Sequence, residues 1–509
     1  MKNTVKKSGN IKTLLRSVIA EWFKNSTSHG LPNIFRTNST LLKIVWTLFF
    51  LLSVSCCVYL ISKSIQSYSE YNYLINTEIV QEIPATFPAV TICSLQYTNK
   101  TSADKYINRL LYINGTIPKI DFTENNTASV FDTVLKQEYF IQSSISSDKN
   151  LTAEEKRSFS PELSEMLLSC KFNWLQCTAN DFAHFRNEFY GNCYTFNGNV
   201  TSDNLKKSSK PGREYGLILE MFLGNPAIQT KYEYEASGIV VVVHNQSNLP
   251  LINSDKIIVA AGAETDVKVS RSFVEKLGQP YSNCLKDTTR SSKFNSKYFD
   301  YIINKLNLTY KQDFCYSICL QYRVIELCQC TSGFLPNYED QVQACLTPEQ
   351  IACNIALIGG FNDNNSSEEC ISACPMECDY AENIVTTSSA KFPNKYYKNL
   401  LWKSSKVNAS GISFEDIDSA VLRIFVYYET MKYTNIQELP LTDFNTFLSN
   451  LGGTLGLYIG ISFLSIIELV ELIIMLLKTW IEFKSQQKIK DSSSNDLKIE
   501  EFEWTILII

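Results

Sequence analysis

The sequence predicts an α+β membrane protein in which two transmembrane helices flank a large disulfide-rich domain. Three observations support this class: an apolar run lies near each end, a long polar segment separates the runs, and fourteen of the sixteen cysteines lie in that segment. A single hydrophobic core stops growing at about 250–300 residues. A chain of 509 residues is therefore expected to hold more than one compact unit.

Composition excludes two broad classes of function. The net charge is −5, from 47 basic and 52 acidic residues, and no basic patch suits a nucleic acid. The three histidines, His29, His184 and His244, lie far apart, and the HExxH, P-loop and GxGxxG motifs do not occur. No catalytic group, resident metal or cofactor is therefore expected.

The first apolar run covers residues 41–62 and is interpreted as a transmembrane helix. A signal peptide is the alternative, but the run starts late, is long for a signal, and is not followed by a small-x-small cleavage site. Residues 1–40 hold seven basic residues and one acid, which places the N-terminus in the cytoplasm. Cys56 and Cys57 within the run are expected to be packing residues or palmitoylation sites.

Cysteines and glycosylation sequons both place the middle of the chain outside the cell. Fourteen cysteines lie between residues 93 and 378, which is typical of an oxidising compartment. The alternative of a zinc-rich cytosolic protein lacks the paired CxxC spacings of zinc sites. Ten Asn-x-Ser/Thr sequons are candidate glycosylation sites: Asn99, Asn114, Asn125, Asn150, Asn199, Asn245, Asn307, Asn364, Asn365 and Asn408.

These features give one topology in the plasma membrane, with both termini cytoplasmic. Its five segments are a cytoplasmic N-terminus at 1–40, helix 1 at 41–62, an extracellular domain at 63–446, helix 2 at 447–478 and a cytoplasmic tail at 479–509. Residues around His29 are expected to form a loop.

Apolar patterns predict the regular structure of the extracellular segment. Strands are expected at 85–93, 238–243, 256–261, 265–269 and 421–428, with 238–243 as a buried central strand. Helices are expected at 161–170, 297–306 and 314–327. Pro375 argues against one helix through the four-residue spacing of Cys370, Cys374 and Cys378.

The second apolar run, residues 455–477, is long enough to cross a bilayer. Four small residues at spacings of four, three and four share one helical face: Ser449, Gly453, Gly456 and Gly460. Such a stripe alone also fits simple helix dimerisation. Glu468 and Glu471 lie inside the run, and the only ionisable residue of the first run, Lys43, lies at its cytoplasmic end. Acids without a partner charge favour a water-filled cation path.

These residues resemble the degenerin/epithelial sodium channel superfamily over nearly the whole chain, including its invertebrate peptide-gated type of member. The resemblance rests on the order and spacing of seven blocks, and it is weakest at residues 95–190. The blocks are His29-Gly30, Lys43 with Trp46, TFPAVTIC at 86–93, GNCYTFN at 191–197, GREYGL at 212–217, residues 238–246, and the second span from 451 to 471.

The resemblance implies a trimeric channel whose extracellular domain has palm, β-ball, knuckle, finger and thumb parts. It also implies seven disulfides, the last five nested like rungs between two arms. The implied pairs are Cys93–Cys193, Cys170–Cys177, Cys284–Cys378, Cys315–Cys374, Cys319–Cys370, Cys328–Cys353 and Cys330–Cys345.

The resemblance further implies roles for residues of the pore. Gly460, Ile461 and Ser462 correspond to the selectivity filter for a permeant sodium ion, and His29-Gly30 to a gating motif at the inner mouth. Ser449, Gly453 and Gly456 would lie at the gate, and Glu468 with Glu471 would concentrate cations. Tyr71, Tyr73 and Tyr281 resemble the aromatic wrist, although a buried core tyrosine is an equal alternative.

The function expected from this resemblance is an amiloride-sensitive, sodium-selective, ligand-gated channel subunit in a homo- or heterotrimer. An extracellular peptide is the expected ligand, as the resemblance to peptide-gated members implies. Residues 71–76 lack the histidines of acid-sensing members, which argues against proton gating. Proton gating, mechanical gating and an ATP-gated type of trimer remain as alternatives. A cysteine-rich receptor is a non-channel alternative, but it has no use for Glu468 and Glu471 within a membrane helix.

Overall fold

The computed structural model divides into two compact units, which are described separately. The terminal unit is Met1–Leu74 with Pro440–Ile509, and the cysteine-rich unit is Ile75–Leu439. The structure describes residues 11–95, 105–108, 141–142, 144–145, 148, 150–187, 190–198, 204–226, 236–246, 250, 252, 255–288, 296–306, 308–333, 335–336, 342–359 and 366–495.

The terminal unit is helical where the structure describes it. Its helices are α1 (Ile11–Asn25), α2 (Leu31–Arg36), α3 (Thr40–Ser69), α12 (Phe444–Ile459) and α13 (Phe463–Asn495). By length and composition, α3 can cross a membrane by itself. The bent pair of α12 with α13 up to Ser485 passes the same test as one broken span, with 69° between its halves.

Three features of the terminal unit differ from the sequence expectations. Helices α1 and α2 flank the segment around His29, so the expected loop is a short turn between them. Helix α3 continues past residue 62 to Ser69. Helix α13 continues past residue 478 to Asn495, so part of the expected tail is helical.

Where the structure describes it, the cysteine-rich unit is built on three sheets. A seven-stranded sheet has the order β13-β12-β14-β9-β4-β5, with β1 also paired to β14; a second has the order β11-β10-β3-β7-β6, and β2 pairs with β8. The strands are β1 (Tyr73–Gln81), β2 (Ala85–Thr86), β3 (Ala89–Ser94), β4 (Leu167–Phe172), β5 (Leu175–Gln176), β6 (Phe182–Asn187), β7 (Gly191–Phe196), β8 (Lys207–Ser208), β9 (Leu217–Phe222), β10 (Gly238–His244), β11 (Ile257–Ala260), β12 (Ala263–Glu275), β13 (Asp379–Lys391) and β14 (Val421–Pro440).

The main core takes alternate residues from both large sheets. Ile239 and Val241 of β10 and Leu422 and Ile424 of β14 belong to one buried cluster. Alternation follows from the two-residue period of a strand, which sends successive side chains to opposite faces. Each fully buried aliphatic side chain contributes about 1.5–3 kcal/mol, so this shared cluster is a major source of stability.

Helices and disulfides also contribute to the described part of this unit. Its helices are α4 (Ala153–Ser158), α5 (Leu163–Met166), α6 (Lys297–Asp300), α7 (Gln312–Cys328), α8 (Pro348–Gly359), α9 (Ser366–Ala373), α10 (Lys395–Trp402) and α11 (Ser405–Ala409). Seven disulfides are present, the same pairs that the resemblance implies: 93–193, 170–177, 284–378, 315–374, 319–370, 328–353 and 330–345. One nested pair, Cys319–Cys370, joins α7 to α9 directly, and Cys315–Cys374 joins α7 to the residue that follows α9.

Most of the predicted strands are confirmed, some of them as parts of longer elements. The central strand at 238–243 is β10, buried throughout and flanked by β3 and β11. The run at 85–93 is interrupted after Thr86, where Pro88 precedes β3. The runs at 265–269 and 421–428 belong to the longer β12 and β14.

The helix predictions had mixed outcomes. The helix at 314–327 is confirmed as α7, and α9 ends before Pro375 as expected. The helix at 161–170 is wrong in its second half, because residues from Leu167 onward pair with β9. The helix at 297–306 has one α-turn, followed by the π-helical segment Tyr301–Lys305.

Candidate functional site

A three-residue break separates α12 from α13. Helix α12 ends at Ile459, and Gly460 follows in the left-handed conformation with φ of +72°. The N–H of Gly460 donates to the carbonyl of Gly456 at 3.1 Å, and that of Ile461 donates to Leu455 at 3.2 Å. Only glycine adopts this backbone conformation without steric cost, so residue 460 specifies where the helix ends.

Two serines cap the start of α13. The N–H of Ser462 donates to Oγ of Ser465 at 3.2 Å, and the N–H of Ser465 donates to the carbonyl of Ser462 at 3.0 Å. This satisfies backbone groups that a new helix would otherwise leave without partners. The Gly460–Ser462 segment is thus a defined turn between two helices.

The turn between α1 and α2 lies against this break. The N–H of His29 donates to the carbonyl of Ile459 at 2.8 Å. A Cβ atom at Gly460 would lie 2.7 Å from the backbone nitrogen of His29 and closer still to its imidazole ring. Residue 460 must therefore be glycine for space as well as for conformation.

Gly30, the second residue of the His-Gly motif, is also conformationally required. Its φ is +87°, and a Cβ atom there would lie 3.3 Å from Cδ2 of Phe50 on α3. The motif thus places histidine against the helix break and glycine against the first apolar helix. The structure brings together two blocks that are more than 400 residues apart in sequence.

Glu468 on α13 bonds to the segment just before the His-Gly motif. Its Oε2 atom accepts from the N–H of Thr27 at 3.2 Å and from Oγ of Ser26 at 3.4 Å. The indole N–H of Trp22 donates to the carbonyl of Glu468 at 3.0 Å. The carboxylate, which has no evident cationic partner in the sequence, finds neutral donors here. Glu471 is exposed and does not share them.

Helix α12 packs on α3 through one of its faces. Oγ of Ser53 donates to the carbonyl of Tyr458 at 2.8 Å, and Sγ of Cys57 lies 4.0 Å from the carbonyl of Thr454. Cys57 is buried, which agrees with its interpretation as a packing residue. The small-residue stripe lies on a different face of α12.

The small-residue stripe is open in the single chain. A Cβ atom at Gly453 or Gly456 would meet nothing within 4 Å, and Ser449 is exposed. On the helix itself the stripe ends at Gly456, because Gly460 terminates α12 instead of extending this face. Close approach by another helix is sterically free along this face.

Contacts join the C-terminal end of α3 to the N-terminal end of α12. The rings of Tyr68 and Phe447 stack with 4.5 Å between their centroids, and the N–H of Leu441 donates to the carbonyl of Asn72 at 2.9 Å. Tyr71, one of the expected wrist residues, has φ of +50° in the turn after α3.

The other two expected wrist residues, Tyr73 and Tyr281, lie in different elements. Tyr73 begins β1, and its side chain is exposed. Tyr281 lies in the cysteine-rich unit, where its N–H donates to the carbonyl of Gly278 at 3.0 Å.

Sequence reasoning missed several residues of the site: Trp22, Ser26, Thr27, Phe50 and Tyr68. The first three lie within seven residues before His29, so their closeness to the motif was the available signal. Phe50 and Tyr68 lie in an apolar helix in which no residue stands out, because contacts across helices leave no local pattern.

Three predicted glycosylation sites lie among the described residues. Asn150 and Asn408 are exposed, and Asn245 is half-buried. The other seven sequons lie outside the residues that the structure describes.

Comparison with known proteins identifies the family. The family model for amiloride-sensitive sodium channels matches residues 22–472. This chain belongs to the amiloride-sensitive sodium channel family. The match agrees with the resemblance stated above and does not favour the ATP-gated type of channel. The family is one of ion channels.

Two curated relatives show how far the similarity extends. The chain is 28% identical to the epithelial sodium channel subunit gamma of Mus musculus over 345 residues, 66% of this chain and 50% of that protein. It is 26% identical to the acid-sensing ion channel 1C of Danio rerio over 481 residues, 92% of this chain and 85% of that protein. The chain spans about half the length of the gamma subunits that it matches.

A solved structure of a proton-activated chloride channel aligns with 85% of this chain and 98% of its own. The TM-score is 0.30 at 7% identity, which carries no argument about fold or function.

Proposed function

We propose that this member of the amiloride-sensitive sodium channel family is a subunit of a sodium-selective cation channel in the plasma membrane. An extracellular ligand such as a neuropeptide opens the channel, and amiloride blocks it. Three such subunits, identical or related, form the pore. The observation that carries the proposal is the break at Gly460–Ser462 between two apolar helices, with His29 packed against it.

A helix break supplies what a narrow cation site requires. Interrupted helical bonding leaves carbonyl groups and small side chains available where an unbroken helix would present only apolar side chains. Three copies of Gly460, Ile461 and Ser462 around one axis would offer oxygen ligands, which suit a small hard cation. Irregular backbone at membrane depth is tolerated where it lines such a path.

The open stripe on α12 supports assembly around that axis. Because Gly453 and Gly456 leave space beside the helix, copies of α12 can approach closely at the proposed gate. Glu468 and Glu471 lie beyond the break on α13, where their charge would attract cations. His29-Gly30 would couple the N-terminal segment to the filter.

The cysteine-rich unit supports an extracellular location for the middle of the chain. Its seven disulfides persist in an oxidising compartment, and the sequons at Asn150 and Asn408 are exposed. An extracellular middle segment with two spans leaves both termini in the cytoplasm. Epitope tags at Asn408 and at the C-terminus test this, since only the first should be accessible on intact cells.

Voltage-clamp recording in oocytes tests the activity itself. Cells expressing the chain alone receive amidated Arg-Phe peptides and then acid, each with and without amiloride. A sodium current evoked by peptide and blocked by amiloride is the expected result. A current evoked by acid alone would mean that protons, and not a peptide, open the channel. An evoked chloride current would contradict the proposal.

Substitution at Ser449 tests whether a gate exists at all. Ser449→Trp is expected to hold the channel open, because a large side chain on the stripe prevents the helices from closing. The resting current should rise several-fold over wild type, measured at matched surface expression. Leu448→Trp is the control, since Leu448 is already a large exposed side chain outside the stripe. An unchanged resting current in Ser449→Trp would show that the gate does not lie on this face of α12.

A further inference from the structure

A groove with a volume of about 600 Å³ runs beside the first half of β13 in the cysteine-rich unit. Six consecutive residues of the strand, 380–385, line it. Successive residues of a strand point to opposite faces. A groove lined by all six must therefore follow the edge of the strand. Its other walls are the ends of β10 and β11 and the first turn of α7.

This edge of β13 is unpaired among the strands that the structure describes. All thirteen residues of Asp379–Lys391 pair with β12, and β13 is the outermost strand of its sheet. No residue of β12 lines the groove, so the groove lies on the side away from that partner. In an antiparallel strand, alternate residues direct N–H and C=O groups to the free side. Such an edge is a template for one more strand.

The walls of the groove favour a basic ligand. Four carboxylates and two ammonium groups line it, which gives a net charge of −2 if all are ionised. The six are Asp255, Asp313, Glu377, Glu382, Lys256 and Lys311. Nζ of Lys256 bonds to the hydroxyl of Tyr190 at 3.3 Å, and Glu377 accepts from the N–H of Gln312 at 3.0 Å.

Two of the acids offer free charge at the rim. Glu382 lies on β13 and Asp313 on α7, and both are exposed. Apolar surface lies beside them, since Ile384 is 54% exposed and Met376 is 37% exposed. The groove thus combines an open strand edge, negative charge and apolar contact area, which are the parts needed to bind a short peptide in extended form.

We infer that this groove binds an extended basic peptide, which adds as a strand to β13. At about 3.4 Å per residue, the six lining residues span roughly 20 Å, enough for a peptide of about four to six residues. Backbone hydrogen bonds to the strand edge hold the peptide, and Glu382 and Asp313 select its basic side chains. This inference rests on the proposed function, because it names a site for the extracellular ligand of that channel.

Direct binding to the purified full-length channel tests the site without relying on current. The probe is a fluorescently labelled, amidated tetrapeptide ending in Arg-Phe, and its Kd is measured by anisotropy. The protein is deglycosylated first, because Asn245 lines the groove within a sequon. The double variant Glu382→Gln with Asp313→Asn is expected to weaken binding roughly fivefold, as the loss of two exposed ion pairs predicts. Glu154→Gln removes an exposed acid outside the groove and should leave the Kd unchanged.

N-methylation of the probe tests strand addition itself. Only alternate amides of an added strand point toward β13. Methylating those amides should weaken binding at least about tenfold, as the loss of two hydrogen bonds predicts. Methylating the other set should have a clearly smaller effect. Replacement of the arginine by citrulline should reproduce the loss seen in the acid variants.

Several results would overturn the inference. These are an unchanged Kd in the double variant, equal effects of the two methylation patterns, or failure of the probe to bind. A disulfide between subunits formed by Ile384→Cys would also overturn it, since a second copy of the chain would then cover this edge. Groove-dependent binding without evoked current would preserve the site and contradict peptide gating. Evoked current that is unaffected by the groove variants would do the reverse.

Discussion

The cysteine-rich unit and the terminal unit differ in what connects their elements. In the cysteine-rich unit, seven disulfides and two large sheets join segments that are far apart in sequence. In the described part of the terminal unit, Cys56 and Cys57 are free, and helix packing and individual hydrogen bonds join the segments. The bonds of His29 to Ile459 and Thr27 to Glu468 are examples.

This difference shows where a change of state costs least free energy. A disulfide contributes about 2–4 kcal/mol by restricting the unfolded chain, and it does not exchange during gating. A single hydrogen bond contributes only about 0.5–1.5 kcal/mol net and exchanges readily with other partners. Elements that switch are usually drawn from the less strongly connected parts of a fold. The helix break and its His-Gly contact are therefore the expected moving parts.

Gly460→Ala should give the largest effect, because it disrupts the contact between the helix break and His29, where movement is expected. The left-handed backbone alone costs an L-residue about 1–2 kcal/mol, and the added Cβ would also collide with His29. We expect the peptide-evoked current to fall below a tenth of wild type at equal surface labelling.

Gly452→Ala is the matched control, because a Cβ atom there would meet nothing within 4 Å. It should retain the wild-type current. If Gly460→Ala also retained the wild-type current, the contact between His29 and the helix break would have no role in conduction.

Loss of a nested disulfide should give the next largest effect, this time on stability. Cys319→Ser with Cys370→Ser removes a bond between α7 and α9 that closes a sequence separation of 51 residues. We expect unfolding to become easier by about 2–4 kcal/mol, seen as a lower Tm of the detergent-solubilised protein. Cys56→Ser, which removes a free thiol, should leave the Tm unchanged. Equal Tm values for all three proteins would mean that the rungs do not stabilise this unit.

The cysteine-rich unit was the easier one to predict from sequence, although its pairing came from resemblance. Cysteine number and β-branched runs such as Gly238–His244 are strong local signals. The error at Leu167–Phe172 has a tertiary cause, because pairing with β9 overrides a weak helical pattern. Spacing alone leaves the connectivity of fourteen cysteines open.

The terminal unit shows the opposite balance. Glycine and glutamate in an apolar run marked the site, but not its geometry. A stripe from Ser449 to Gly460 reads as one helical face, and only the conformation of Gly460 reveals that the helix ends there. The contact with His29 joins distant parts of the chain, so no window of sequence contains it. The partners of Glu468 were missed for the same reason.

Substitution of the two acids of α13 should give a smaller effect that separates their roles. Glu468 accepts bonds from Thr27 and Ser26, whereas Glu471 is exposed. Glu468→Gln weakens charge-assisted bonds that are each worth about 1.5–3 kcal/mol, so it should alter both conductance and the rate of opening. Glu471→Gln should alter conductance alone. The measurement is single-channel recording of each variant, and identical effects on opening would show that the Thr27 contact does not influence the gate.

The smallest expected effect is a pH dependence of stability in the cysteine-rich unit. Arg157 donates to both carboxylate oxygens of Glu162, at 2.6 and 2.8 Å, and these bonds hold the pKa of Glu162 below its ordinary value of 4.5. A lowered pKa in the folded state means that the stabilisation is present above the unfolded pKa and is lost as the pH falls through the folded one. The side chain of Glu162 is 34% exposed, so solvent screening keeps the contribution below about 1 kcal/mol.

We expect the Tm of wild type to exceed that of Glu162→Gln at about pH 6, and the difference to shrink toward about pH 3.5 as the carboxylate is protonated. Glu154→Gln is the control. Glu154 is exposed, and its substitution leaves the hydrogen bonds from Arg157 to Glu162 in place. A difference that stayed constant across this range would assign the effect of Glu162→Gln to packing rather than charge.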